Sequence, residues 1–362
     1  NFMEDITLNT LKNAKKSIEQ FLLSEGVVSD NYEASSEAAI ILCEIHNCKK
    51  TDIVFNPDDM LSDEEKSQIT DVLSKRKERV PLQYIFGHAP FYGREFKVTP
   101  DTLIPRFDTE VLVENAAEVI EAYIKESHFG DNIGNNFDKA ANDNVDDDIN
   151  CADNNFNNTS INILDMCTGT GCIIITLAKE LEKNLKKPKK SDDCEKPGNA
   201  NESEPASNMH FFATDIDPNT LKVAHENAKN LGADVTFIES DMFKSDFFNN
   251  KENGIDILVS NPPYITEEVI NTLEPEVKNH EPFKALYGGE DGLFFYRIIA
   301  QEGYSRIREN GCIMFEVGYD EGDSVSDILN ECGYVNVEII KDLAGMDRVV
   351  KAYKSSRHIE GE

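Results

Sequence analysis

Apolar residues recur at helical spacing through the first part of the chain. Leu11, Ala14, Ile18, Phe21 and Leu22 form one series, and Ala38, Ala39, Ile41, Leu42 and Ile45 form a second. Each predicts an amphipathic helix with one buried face. Ser62, with Glu65 three positions on, has the form of a capping box and predicts a third helix running through Leu73. Residues 4–80 therefore predict a small helical domain. From 81 to 104, Gly, Pro and aromatic residues alternate with β-branched ones, the pattern of a β-hairpin linker.

From about 105 the period changes. Apolar runs at 161–165, 209–214, 235–240, 256–260 and 311–317 predict strands, with helices at about 108–125, 171–183, 218–231 and 291–308. Residues 334–353 read as two closing strands. This alternation predicts an α/β domain over 105–356, a mostly parallel sheet with helices on both faces. Two stretches break the pattern. About 127–160 is dominated by Asn and Asp, and about 184–208 passes from a Lys run to Ser, Pro, Glu and Asn. Neither holds enough apolar surface to offset its ordering entropy, so both are expected to be disordered surface inserts.

Charge and composition narrow the function classes. With 36 Lys and Arg against 68 Asp and Glu, the formal charge is -32. That argues against a duplex-binding surface, which needs clustered cations, and no stable nucleic-acid binding is expected. No apolar stretch approaches the ~20 residues a membrane helix needs, so no membrane association is expected either. Glu4 and Asp5 stand where a signal peptide would be basic. The 8 cysteines contain no CxxC pair, and the expectation is a cytoplasmic protein with reduced thiols. The 7 histidines are scattered without ligand spacing, so no metal site is expected.

Two motifs carry candidate chemistry. The first predicted strand runs into Asp165-Met166-Cys167-Thr168-Gly169-Thr170-Gly171, a glycine-rich turn before an apolar helix, where the backbone can pass close to a ligand. The next strand ends in Asp215-Ile216-Asp217-Pro218, and an acidic residue there is placed to bind a ribose diol. Setting the insert at 184–208 aside, Asp215 follows Gly171 by about 20 residues, as in a nucleoside-binding sheet. A dinucleotide loop would carry a third glycine where Ile174 stands. Its absence favours S-adenosyl-L-methionine, which has no pyrophosphate, with S-adenosyl-L-homocysteine as the product. Asp241, after the third strand, is then expected to accept from the adenine amine, and Met242 or Phe243 to pack its ring.

The fourth strand delivers Asn261-Pro262-Pro263-Tyr264 at its carboxyl end, the edge where open α/β sheets bind ligands. The prolines fix the turn and remove donors, freeing backbone carbonyls for the site. The Asn261 side-chain oxygen and the Pro262 carbonyl are placed to accept the two N–H bonds of a target NH2, and Asn261 also borders the cofactor. Tyr264 offers a face to a planar amide or base. An amide nitrogen is a poor nucleophile because its lone pair is delocalised. Two acceptors polarise it and aim it at a methyl donor.

With these motifs the chain resembles the release-factor glutamine methyltransferase family, the PrmC/HemK type. The likeness spans nearly all of the chain outside the inserts. It adds Leu103-Ile104-Pro105-Arg106-Phe107-Asp108-Thr109-Glu110, Gly288-Gly289-Glu290-Asp291-Gly292-Leu293 and Asp347-Arg348-Val349-Val350. Asn-Pro-Pro-Tyr alone is shared with adenine-N6 methyltransferases, whereas the Ile-Pro-Arg segment beside it marks this group. The resemblance implies a seven-stranded, Rossmann-like methyltransferase sheet and a helical amino-terminal domain that helps hold a protein partner. It further implies methylation of the Gln amide in the Gly-Gly-Gln loop of peptide chain release factors, with Arg106 contributing to substrate binding. A ribosomal-protein glutamine methyltransferase and a nucleic-acid adenine methyltransferase are the alternatives. Two residues depart from the family pattern: Cys167 replaces a usual Gly and Phe107 a usual Pro. Cys167 fits if its φ is negative; a positive φ would weaken cofactor binding.

Overall fold

The computed structural model describes residues 7–133, 160–185 and 209–355. The expected inserts fall largely outside these residues. The chain forms two compact units. One comprises the residues up to Ala89, Val98–Pro100 and Asn271–Pro282; the other comprises Pro90–Lys97, Asp101–Ile270 and the chain from Phe283 on.

In the first unit, α1 (Leu11–Ser24), α2 (Asn31–His46), α3 (Lys50–Phe55), α4 (Asp63–Lys77) and α5 (Leu82–Phe86) follow one another. Leu11, Ala14, Ile18, Phe21, Leu22, Ala38, Ile41 and Leu42 are buried in one core with Ile69 and Leu73. Ala39 and Ile45 pack against it, partly buried. The capping box forms, with the Glu65 N–H donating to Ser62 Oγ at 3.2 Å and the Ser62 N–H to Glu65 Oε2 at 2.6 Å. The helix outruns the expected end at Leu73 because Lys75, Arg76 and Lys77 place cations at its negative end. Part of the expected hairpin linker is instead the helix α5, closed by Gly87 at φ 81.

β1 (His88–Phe91), whose first two residues belong to the first unit, and β2 (Arg94–Lys97) form a hairpin, and the rest of the chain to the last strand falls mainly in the second unit. Its turn residues Tyr92 and Gly93 both have positive φ, 49 and 70°, which matches the strand twist. There follow α6 (Glu110–Ile133), β3 (Ile161–Met166), α7 (Cys172–Leu185), β4 (Met209–Asp215), α8 (Pro218–Leu231), β5 (Thr236–Glu239) and β6 (Ile255–Ser260). Short helices α9 (Glu267–Ile270), α10 (Pro275–His280, part of the first unit) and α11 (Phe283–Leu286) precede α12 (Phe294–Tyr304), β7 (Ile307–Glu316), α13 (Gly322–Glu331), β8 (Tyr334–Lys341) and β9 (Asp347–Lys354).

The sheet order is β5-β4-β3-β6-β7-β9-β8. Its first five strands are parallel and β9 is antiparallel to both neighbours, the seven-stranded Rossmann-like arrangement. Side chains alternate between two cores as strand geometry demands. Ile163, Ile257, Val259 and Met314 face one core with α6 and α7 residues, while Leu164, Leu258, Ile313 and Phe315 face the other with α12 and α13 residues.

Three boundaries differ from expectation. Helix α6 runs on to Ile133, so the first residues assigned to the insert at 127–160 are helical. Adding turns to a nucleated helix costs little. Helix α12 stops at Tyr304 and β7 starts at Ile307, earlier than expected, with an irregular register where it pairs with Ile255 and Ile257. Segment 271–282 belongs with the helical unit rather than with the sheet. The reason is electrostatic: buried Arg76 donates to both oxygens of Glu37, at 2.6 and 3.1 Å, and to Glu276 of α10 at 3.1 Å.

Arg76→Ala would leave Glu37 without a cationic partner at a largely desolvated site, while Glu276 keeps Arg79 at 2.6 Å. Chemical denaturation of the full chain should show a loss of about 3 kcal/mol or more.

Candidate active site

The strand order reverses between β3 and β6, whose carboxyl ends lie side by side in register, Met166 opposite Ser260. The Ser260 hydroxyl donates to the Met166 carbonyl at 2.6 Å, locking the two exits together. A cavity opens at this point, enclosing about 920 Å³ including its open mouth. Cys167, Thr168, Gly169, Thr170, Asp215, Ile216, Met242, Asn261, Pro263 and Arg106 all line it.

The glycine-rich turn takes its shape from left-handed residues: Cys167, Gly169 and Gly171 have φ of 62, 56 and 79°. A β-carbon on Gly171 would stand 2.8 Å from Ile175 Cδ1, so glycine there serves helix–strand packing as well as the turn. Cys167 does not have the negative φ under which it was expected to fit easily. It holds a left-handed conformation that a glycine would adopt without strain. Burial pushes its thiol well up, as do Asp215 and Asp165. Phe107, the other departure, is 71% exposed and outside the cavity lining.

Asp165 is fully buried and accepts from the Thr168 hydroxyl at 2.6 Å. Burial pushes its pKa up to about 7, with Asp215 adding to this, against hydrogen bonds from Thr168 and the Ile174 backbone. It lies beneath the loop, outside the lining, and acts by holding Thr168 in place. Asp215 accepts from the Gly169 N–H at 3.1 Å and the Asp217 N–H at 3.0 Å. Burial raises it to about 6, opposed by the Gly169 N–H and Lys284. Each carboxylate oxygen keeps a further lone pair for hydroxyl donors.

Beyond β5 the chain makes a left-handed turn at Met242, φ 51°, which turns this buried side chain into the cavity. Phe243 is buried in the second core beneath the Arg306 guanidinium, leaving Met242 as the apolar wall. Asp241 is outside the lining, and its carboxylate pairs with Lys244 at 2.5 Å.

At the exit of β6 the Asn261 amide nitrogen donates to Thr109 Oγ1 at 3.3 Å. Pro262 is buried, Pro263 faces the cavity, and Tyr264 packs against the second core, with burial raising its hydroxyl pKa. The loop Gly288–Gly292 braces this turn. A β-carbon on Gly288 would stand 2.5 Å from the Tyr264 α-carbon and 2.7 Å from the Pro263 carbonyl oxygen, so only glycine permits the contact.

Sequence patterning did not single out Thr109, Thr220, Lys284 or Phe295, which also line the cavity. Thr109 lay inside a recognised motif. The others come from separate elements and meet only in three dimensions.

A seven-stranded sheet with a glycine-rich turn and an Asn-Pro-Pro-Tyr turn sharing one cavity defines a methyltransferase fold. A family model of the PrmC N-terminal domain matches residues 14–87, and one of an RMKL-like methyltransferase domain matches residues 129–269. A release factor glutamine methyltransferase of Bacillus anthracis is 33% identical over 326 residues, 90% of this chain and 94% of that protein. Its counterpart in Clostridium botulinum is 33% identical over 320 residues, covering 88% and 91%. That of Agrobacterium fabrum is 30% identical over 314 residues, covering 87% and 88%. Among solved structures, a protein-(glutamine-N5) methyltransferase from Alicyclobacillus acidocaldarius superposes at a TM-score of 0.32 with 21% identity, covering 72% and 100%, too loosely to add to the sequence relationship. The chain belongs to the release factor glutamine methyltransferase family, and it is a methyltransferase.

The strain at Cys167 is testable by substitution. Cys167→Gly should keep the fold's stability, whereas β-branched Cys167→Val should lose about 2 kcal/mol in denaturant titration. Asp165 makes a pH prediction. An unfolded Asp titrates near ~3.9, and here the folded value is about 7. Between these values the native state keeps a proton that the unfolded chain releases, so this stabilising contribution is lost as pH rises. Asp165→Asn, which does not titrate, should gain on the parent by up to about 1.4 kcal/mol per pH unit across that window in pH-dependent unfolding.

Proposed function

We propose that this methyltransferase uses S-adenosyl-L-methionine to methylate the side-chain amide nitrogen of the Gln in the Gly-Gly-Gln loop of peptide chain release factors. The observation that supports it most is the meeting of Asn261 and Pro263 with the glycine-rich turn and Asp215 in one cavity. The residues suit this cofactor. The left-handed turn at 167–171 lets backbone border a ligand closely, and Asp215 retains lone pairs for a ribose diol. Ile216 and Met242 supply apolar walls. Bound there, the cofactor supplies an electrophilic methyl group on a sulfonium.

The protein's part is binding and orientation. The Asn261 side-chain oxygen and the Pro262 carbonyl accept from the target NH2, drawing density onto its nitrogen and aiming the lone pair. Tyr264 supports the planar amide from its place against the core. Arg106, at the cavity edge, contacts the substrate loop. Asp241, paired with Lys244 through one oxygen, keeps lone pairs with which to accept from an adenine amine. The release factor substrate rests on what the relatives named above are called, on the Ile104-Pro105-Arg106 segment and on the Asn-Pro-Pro-Tyr turn.

Incubation with labelled cofactor and a release factor, a ribosomal protein or DNA, followed by mass spectrometry, should place the label on the Gly-Gly-Gln glutamine; label on another acceptor would sink the proposal. Asn261→Ala should lower turnover on the order of 10²-fold. Asp215→Ala should act on the cofactor instead, weakening S-adenosyl-L-homocysteine binding by ~1.5–3 kcal/mol in calorimetric titration.

A further inference from the structure

Glu316 ends β7 beside the β6 turn. It is 1% exposed, and its Oε2 atom is buried without a hydrogen-bond partner. A carboxyl in that position costs stability, since burial of an unsatisfied polar group is unfavourable. Its surroundings are specific. The Thr109 hydroxyl and the Asn261 carboxamide face it, and the Arg348 guanidinium lies near on β9. Arg348 is itself drawn away, donating to Asp342 at 3.1 Å and pairing with Asp108 at 3.2 Å. Tyr296 donates to the Glu316 backbone carbonyl at 2.8 Å, leaving the side chain to Thr109 and Asn261.

Above the value of about 7 to which burial raises it, the Glu316 carboxylate is ionised, accepts hydrogen bonds and donates none. Thr109 and Asn261 must therefore both turn donors toward it. With its hydrogen directed at Glu316, the Thr109 hydroxyl offers a lone pair to the Asn261 amide nitrogen, the contact observed at 3.3 Å. An Asn held by its nitrogen on one side presents its oxygen on the other. Thr109 and Asn261 line the cavity, whereas Glu316 stands behind them.

We propose that Glu316 is a positioning residue for methyl transfer, acting through Thr109 to fix the Asn261 carboxamide with its oxygen toward the target N–H. This rests on the assignment of Asn261 as an acceptor for the substrate amide. With Glu316→Gln the carboxamide can donate as well as accept. Thr109 and Asn261 are then free to reverse, and part of the Asn261 population presents its NH2 to the substrate.

The test measures kcat and KM on an intact release factor, homocysteine-product affinity by calorimetry, and melting temperature. It uses the parent, Glu316→Gln, Asn261→Ala and the double variant. Glu316→Gln should lower kcat about 10- to 100-fold while KM and S-adenosyl-L-homocysteine affinity stay within about threefold. In the Asn261→Ala background the same change should cost nothing further, because its effect passes through Asn261. Unchanged kcat for Glu316→Gln, or losses that add in the double variant, would overturn the proposal. Should Glu316→Gln melt early and lose product binding, Thr109→Val against Thr109→Ser decides: only Val should lower kcat, and equal activities would overturn it. A parent that binds product yet leaves the release factor unmethylated would refute the substrate assignment instead.

Discussion

Everything at the candidate site depends on the parallel pairing of β3 with β6. The two strands carry the two motifs that line the cavity, and each ends in a turn that would have no fixed relation to the other in isolation. Pairing Met166 with Ser260, reinforced by the hydroxyl-to-carbonyl hydrogen bond between them, places the glycine-rich turn next to the Asn-Pro-Pro-Tyr turn. Both strands are buried along their whole length. A slip in register would swap side chains between the two cores and disrupt the packing of both, and is strongly disfavoured. The register that satisfies the cores is the same one that assembles the cavity.

Around this junction the fold accepts local costs. Cys167 and Met242 occupy left-handed conformations, and Asp165 and Glu316 are carboxyls pushed up to about 7, chiefly by burial. Strain and buried charge of this kind are unfavourable taken singly and survive where surrounding packing over-determines them. Here the surrounding packing is the Gly288–Gly292 loop pressed against Pro263 and Tyr264, and Ile175 and Ala224 closed over Gly171. The rigid frame holds groups that would otherwise relax.

Asn227 joins a further element to the glycine-rich turn. Buried on α8, it accepts from the Lys97 N–H at 2.7 Å and donates to the carbonyls of Lys97 and Thr170, each at 3.0 Å. One carboxamide thus ties β2 to the turn. Nothing in the local pattern of α8 sets this residue apart from the polar positions around it.

Periodicity by itself determined the helical unit, the alternation of strands and helices, and the two turns that face the cavity. Each of those is written in neighbouring residues: 3.6-residue spacing in α1 and α2, apolar runs in β3 and β6, the Ser62–Glu65 cap, and Asn-Pro-Pro-Tyr itself. Tertiary structure alone decided what depends on distance between separate segments. Segment 271–282 joins the helical unit because Glu276 meets Arg76, and no local pattern encodes an ion pair across such a sequence separation. The φ of Cys167 and the buried carboxyl of Glu316 behind Asn261, one of its oxygens unpaired, are likewise properties of packed neighbours. Hydrophobic period records which face of an element is buried; it carries no record of what that face will meet.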